Sequence, residues 1–129
     1  MSVVLVVEDE ALILVLAESV LNDAGYDTLA ASSLSEALAI IEDPKQKFDL
    51  LCADLGLQEN SEDGLKVAAA AAKARPGLPV VYITGRGVTG GMVKKFVQPN
   101  RFVPKPYTSD RLLTAVAELL RSTPARRSA

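Results

Sequence analysis

Apolar residues along this chain follow two alternating rhythms. Short unbroken runs, rich in valine, leucine and isoleucine, are separated by longer stretches in which apolar positions recur every three or four residues. The first rhythm reads as strands covered on both faces, the second as helices with one covered side. Five strands are expected: Val3–Val7, Tyr26–Ala30, Asp49–Ala53, Pro79–Ile83 and the short Arg101–Val103. After the first strand, Ile13, Leu16, Ala17, Val20, Leu21 and Ala24 form a continuous stripe at helical spacing, expected to face the sheet, and Gly25 ends that helix. Ser33 or Ser35 caps a second helix running through Ile41, and the alanine-rich stretch Gly64–Ala74 makes a third, stopped before Pro76. A last helix, Asp110–Arg121, starts at a cap on Thr108 or Ser109 and buries Leu112, Leu113, Val116, Leu119 and Leu120. Between Gly87 and Gln98, glycines at 87, 90 and 91 each lower helix propensity by about 1 kcal/mol, so the remaining helix is expected to be short or mobile.

Regular alternation of strand and helix calls for an α/β fold, a parallel sheet with helices on both faces. The 129 residues and 49% hydrophobic content suit one compact domain, expected at residues 1–121, and the tail 122–129 has no apolar period to bury. Cys52 is the single cysteine and sits in an apolar run, which excludes an internal disulfide or cysteine metal site and favours an inert core residue in a reducing cytoplasm. Histidine is absent, removing Ser-His and Cys-His nucleophile pairs and imidazole ligands together. With 14 basic against 16 acidic residues there is no broad basic surface for nucleic acid, and no stretch approaches the length of a membrane span.

In an open parallel sheet, ligands bind beyond the carboxyl ends of the strands. Glu8 and Asp9 follow the first strand here, Asp54 the third, Thr84 the fourth and Lys105 the fifth. Each has an ordinary reading: the acids as helix-capping charges, Thr84 as a strand former, Lys105 as a solvated cation. Together they make a different object. Three carboxylates converging on one edge repel each other, and a hard, oxygen-seeking cation such as magnesium relieves that repulsion. Asp54 then serves as a carboxylate nucleophile that takes a phosphoryl group, with Thr84 donating to a phosphoryl oxygen and Lys105 supplying positive charge.

The runs VVEDE at 6–10, LLCADLGL at 50–57, DG at 63–64, VVYITG at 80–85 and FVPKPY at 102–107, in this order, resemble the receiver domain of bacterial response regulators over residues 3 to about 121. The resemblance implies a flavodoxin-like, doubly wound sheet in the order 2-1-3-4-5 with five helices. It also implies Glu8 and Asp9 as the acidic metal pair, Asp54 as phosphoacceptor and the Gly56 carbonyl as a further ligand to Mg2+, or alternatively Mn2+. Thr84 is the implied switch hydroxyl and Lys105 the phosphate-binding lysine, followed by a cis Pro106. Phe102 matches an aromatic that changes rotamer on phosphorylation, although a buried core aromatic is the competing reading. The chain departs from the family in having Glu8 for the common aspartate, a longer 54–64 loop with Gln58 where proline is typical, and Gly85 and Gly87 flanking Arg86.

The implied partners are a histidine kinase or histidine phosphotransfer protein and a downstream protein target, with no nucleic acid and no membrane, for a monomer or weak dimer. Ala11, Leu14, Val15 and Pro106 are the expected docking surface, since the stripe on the first helix leaves Leu14 directed outward. No output segment follows Arg121, so a stand-alone receiver is expected, with a piece of a larger regulator or hybrid kinase as the alternative. Two rival functions share the fold: an aspartate-nucleophile phosphatase and a phosphorylation-independent adaptor. The first is disfavoured because Gly56 occupies the place of a general acid two residues past Asp54, the second because Asp9, Asp54, Thr84 and Lys105 are all retained. No enzyme is expected beyond uptake and loss of the chain's own phosphoryl group.

Overall fold

A computed structural model of the protein describes residues 2–55, 61–85 and 96–121. The strands are β1 (Val3–Val7), β2 (Asp27–Ala31), β3 (Leu50–Asp54), β4 (Val80–Thr84) and β5 (Asn100–Pro104), all parallel and in the order β2-β1-β3-β4-β5. The described helices are α1 (Ala11–Asp23), α2 (Leu34–Glu42), α3 (Ser61–Ala74) and α4 (Ser109–Arg121). Most of the glycine-punctuated stretch expected to form a further helix, and the tail 122–129, lie outside the described residues.

Alternation along each central strand sorts side chains onto two faces. Leu5 and Val7, Leu51 and Ala53, Val80 and Tyr82 join one core with α2 and α3. Val4 and Val6, Leu50 and Cys52, Val81 and Ile83 join the other with α1 and α4. Burial on both faces is why β1, β3 and β4 read as unbroken apolar runs, whereas the edge strands β2 and β5 keep exposed positions. Local chemistry sets the helix starts. Ser33 caps α2 by accepting the Glu36 N–H at 3.2 Å, and Thr108 caps α4 by accepting that of Arg111 at 3.2 Å. Beyond α3, the Arg75 guanidinium donates to the carbonyls of Ile41 and Gln46, both at 2.6 Å, and lies 4.3 Å from the centre of the Phe48 ring, tying the turn after α2 to the end of α3.

Helix α1 departs from the expected rotation. Leu16, expected to be buried, is 53% exposed, and Ala24 is exposed as well, whereas Leu14, expected to face outward, packs against the second core. The covered face runs through Leu14, Ala17, Val20 and Leu21, leaving Ala11, Leu12, Val15 and Leu16 exposed. The cause is that ALILVLA offers an apolar residue at every angle, so apolar period cannot set the rotation. A polar contact helps to orient the helix instead: the Thr28 hydroxyl of β2 donates to Glu18 Oε2 at 3.0 Å.

Candidate functional site

The sheet continues past its strands into the site. The backbone N–H of Glu8 donates to Ala31 O at 3.0 Å, that of Leu55 to Ile83 O at 2.8 Å, and that of Lys105 to Thr84 O at 2.7 Å. These ladder bonds hold the backbone at Glu8, Leu55 and Lys105 to neighbouring strands, which is why residues far apart in the sequence meet at one edge.

Carboxylate oxygens of Glu8, Asp9 and Asp54 all lie within 4.8 Å of one another. Glu8 and Asp54 are each 1% exposed, and Asp9 is half-buried. Lys105 Nζ donates to Asp54 Oδ2 at 2.9 Å and stands 3.4 Å from Glu8 Oε1. The second distance gives charge attraction without a hydrogen bond, and Glu8 Oε1 is a buried oxygen that accepts none. The other oxygen, Oε2, accepts the Glu10 N–H at 3.1 Å. Burial pushes the Glu8 carboxyl up from 4.5 to about 7; the Glu10 N–H opposes the shift, the adjacent Asp54 carboxylate adds to it and Lys105 opposes it. Burial works against the Lys105 ammonium, but its hydrogen bond to Asp54 and the charges of Asp54 and Glu8 hold its pKa above the usual lysine value. Thr84 ends β4 at this edge and is buried.

A hard divalent cation fits this arrangement. Three carboxylates within reach of one another, one carrying an orphaned buried oxygen, form the oxygen-only donor set that magnesium prefers. The Gly56 carbonyl, the further ligand implied by resemblance, lies outside the described residues, as does Gln58.

The peptide bond Lys105–Pro106 is cis, as the resemblance implied. Phe102 is 41% exposed, so the reading as a buried core aromatic does not hold. It stacks on Tyr82 with centroids 5.6 Å apart and meets Phe96 edge-on at 4.7 Å, while the Tyr82 hydroxyl accepts the Val97 N–H at 2.8 Å. Cys52 is fully buried, and burial pushes its thiol up to about 12, as expected of an inert core cysteine. Beside the acidic cluster a groove of about 540 Å³ runs between α1 and the β5–α4 connection, lined by Ile13, Leu16 and Val20 on one wall, Pro106 and Tyr107 on the other, and reaching Lys105. Sequence reasoning missed Leu12, Leu16 and Tyr107 as groove or surface residues, and no periodic signal marks them.

A family model described as the response regulator receiver domain matches residues 4–117. The chain belongs to that family. It is 32% identical to the transcriptional regulatory protein GlrR of Escherichia coli K12 across 94% of this chain, and 33% identical to the alginate biosynthesis transcriptional regulatory protein AlgB of Pseudomonas aeruginosa across 91%. The receiver spans 27% and 25% of those two proteins, about a quarter of each. Among solved structures, a response regulator receiver protein from Sinorhizobium medicae superposes with a TM-score of 0.84 at 32% identity, covering 95% of this chain and 96% of that one. A receiver domain protein from Methanospirillum hungatei gives 0.84 at 26% identity, covering 97% and 98%. The expected strand order and flavodoxin-like receiver fold are therefore as found, with four helices among the described residues where five were expected. No described helix is long and apolar enough to cross a membrane.

Proposed function

We propose that this receiver is a switch set by phosphorylation of Asp54, with a phosphohistidine of a kinase or phosphotransfer protein as donor and magnesium as cofactor. The observation that carries this reading is the Asp54 carboxylate, buried at the sheet edge, bonded to Lys105 at 2.9 Å and clustered with two further carboxylates. A carboxylate oxygen of Asp54 attacks phosphorus, the phosphorus–nitrogen bond of the donor breaks, the imidazole leaves and takes up a proton, and an acyl phosphate remains. Glu8, Asp9 and Asp54 would hold the cation, which when bound neutralises charge on the incoming oxygens. Lys105, already at Asp54, exchanges its carboxylate partner for the phosphoryl group, and Thr84 donates to a phosphoryl oxygen. Phe102, exposed beside its ring partners, is the side chain whose rotamer reports the switch. The output is contact with a downstream protein in the cytoplasm, without turnover of an external substrate.

Incubation with acetyl phosphate and magnesium should add one phosphoryl group per chain, measured by intact mass. Steady hydrolysis of small phosphate esters would favour the phosphatase rival, and no uptake at all the adaptor. Within the cluster, Asp9→Asn should weaken magnesium binding more than Glu8→Gln, because Glu8 is the longer, Lys105-neighboured acid and suits a water-mediated role. Calorimetric titration decides between them, and a larger loss in the Glu8 variant reverses the roles.

The donor's helix is proposed to dock on the apolar end of α1, where Ala11, Leu12, Val15 and Leu16 are exposed, with Pro106 across the groove. Leu16→Glu tests this surface. The variant should fold and load from acetyl phosphate normally but accept phosphate from its kinase about tenfold more slowly or worse. Unimpaired kinase transfer would remove Leu16 from the interface.

A further inference from the structure

We infer that Gly64 is a positioning residue for the reaction at Asp54, the bare first turn of α3 bracing the main chain that carries the phosphoacceptor. The inference rests on the reading of Asp54 as phosphoacceptor. A Cβ at position 64 would lie 2.6 Å from the carbonyl oxygen of Asp54, 2.9 Å from Leu55 Cα and 3.2 Å from the Asp54 carbonyl carbon. All three are main-chain atoms, so no rotamer change relieves the overlap. Backbone conformation is not the reason for glycine here, since the described positive-φ glycines are Gly25 and Gly77. Space is the reason.

Any side chain at position 64 must therefore move either α3 or the end of β3. Helix α3 is held by Leu65, Val67, Ala68 and Ala71 in the core and β3 by its ladders to β1 and β4, so the overlap is absorbed where the two elements meet, at the end of the strand. Residues 54 and 55 form a strand end, where Leu55 N donates to Ile83 O at 2.8 Å. The displacement falls on Asp54. Its carboxylate works at short range, 2.9 Å from Lys105 Nζ and with its cluster partners inside 4.8 Å, and a shift of roughly 1 Å at a reacting group is enough to cost on the order of a hundredfold in rate. Gly64 touches no reacting atom and acts through the Asp54 main chain.

Gly25→Ala supplies the matched control. Gly25 has φ +97° with nothing within 4 Å of a built Cβ, and it sits between α1 and β2 at the opposite edge of the sheet, so alanine there strains the fold without disturbing the site. Loading rate from acetyl phosphate at saturating magnesium is read by intact mass, with magnesium affinity by titration and foldedness by circular dichroism, at a temperature where each variant is folded. Gly64→Ala should load at least about tenfold more slowly than Gly25→Ala and bind magnesium more weakly. Equal loading by the two variants would overturn the inference, leaving Gly64 a packing residue only. Should Gly64→Ala not fold, Leu65→Ala keeps position 64 bare but removes the side chain that seats the first turn of α3. Slower loading than Gly25→Ala supports the brace, and an equal rate overturns it. A wild-type chain that takes up no phosphoryl group would instead overturn the Asp54 reading beneath it.

Discussion

Asparagine at position 54 should abolish phosphoryl uptake while leaving the fold intact. The amide matches the carboxylate in size, and its oxygen can still accept from Lys105, which now donates to Oδ2 at 2.9 Å. It lacks the anionic oxygen that attacks phosphorus, so an acyl phosphate cannot form. The expected result is complete loss of incorporation by intact mass under conditions where the wild-type chain is loaded, with thermal unfolding of the variant at or above the wild-type midpoint because one charge has left a crowded acidic cluster. The neighbours make the test sharp. Glu8 and Asp9 present carboxylate oxygens within 4.8 Å of those of Asp54, so a donor that reaches one acid reaches the vicinity of all three. Undiminished incorporation in the Asp54 variant would transfer the acceptor role to one of them, and peptide mapping would say which.

The strands were legible because burial on both faces writes itself as continuous apolar sequence. Each central strand was expected within one residue of its observed place, β3 at Asp49–Ala53 against Leu50–Asp54, and this small slip matters little because Asp54 stands at the strand end in either case. The acidic cluster was legible for the same reason: once strand ends are known, an α/β sheet dictates which residues converge. What one dimension cannot carry is rotation and close approach. Helix α1 presents apolar side chains all round, so its period is uninformative, and its orientation follows from tertiary contacts, among them Glu18 with Thr28. This is why Leu14 and Leu16 exchanged places relative to expectation, and why the exposed apolar face of the helix is not the one its period suggested.

Gly64 illustrates the same limit from the other side. The DG pair at 63–64 was visible as a motif, but glycine in sequence has several meanings, and only the 2.6 Å approach to the Asp54 carbonyl distinguishes a steric requirement from a conformational one. Phe102 was ambiguous between core and switch because a short edge strand with one aromatic gives no period to judge by. Its 41% exposure places it at the surface, stacked on the buried Tyr82 opposite it in the β4–β5 register.

Glu8→Gln should stabilise the cation-free protein at pH 8, and the gain should disappear in acid. The Glu8 carboxyl sits at about 7 in the folded chain against 4.5 ordinarily, chiefly because it is buried. The folded state therefore binds this proton more tightly than the unfolded chain does, and the linkage slope is negative across the window: stability falls as pH rises from about 4.5 through 7. A displacement from 4.5 to about 7 corresponds to roughly 3 kcal/mol as an upper limit, since each pKa step is worth about 1.4 kcal/mol. Glutamine removes the ionisation and with it this loss, while forfeiting the 3.4 Å attraction to Lys105, so a net gain of about 1–2 kcal/mol is expected at pH 8 and close to none at pH 4. Urea unfolding in the presence of a chelator, at both pH values, measures it. Magnesium should narrow the gap at pH 8, because a cation bound by the folded state alone offsets the ionised cluster. A variant less stable than wild type at pH 8 without divalent cation would mean that Lys105 already compensates the buried charge in full, and that a cation is not needed to relieve Glu8.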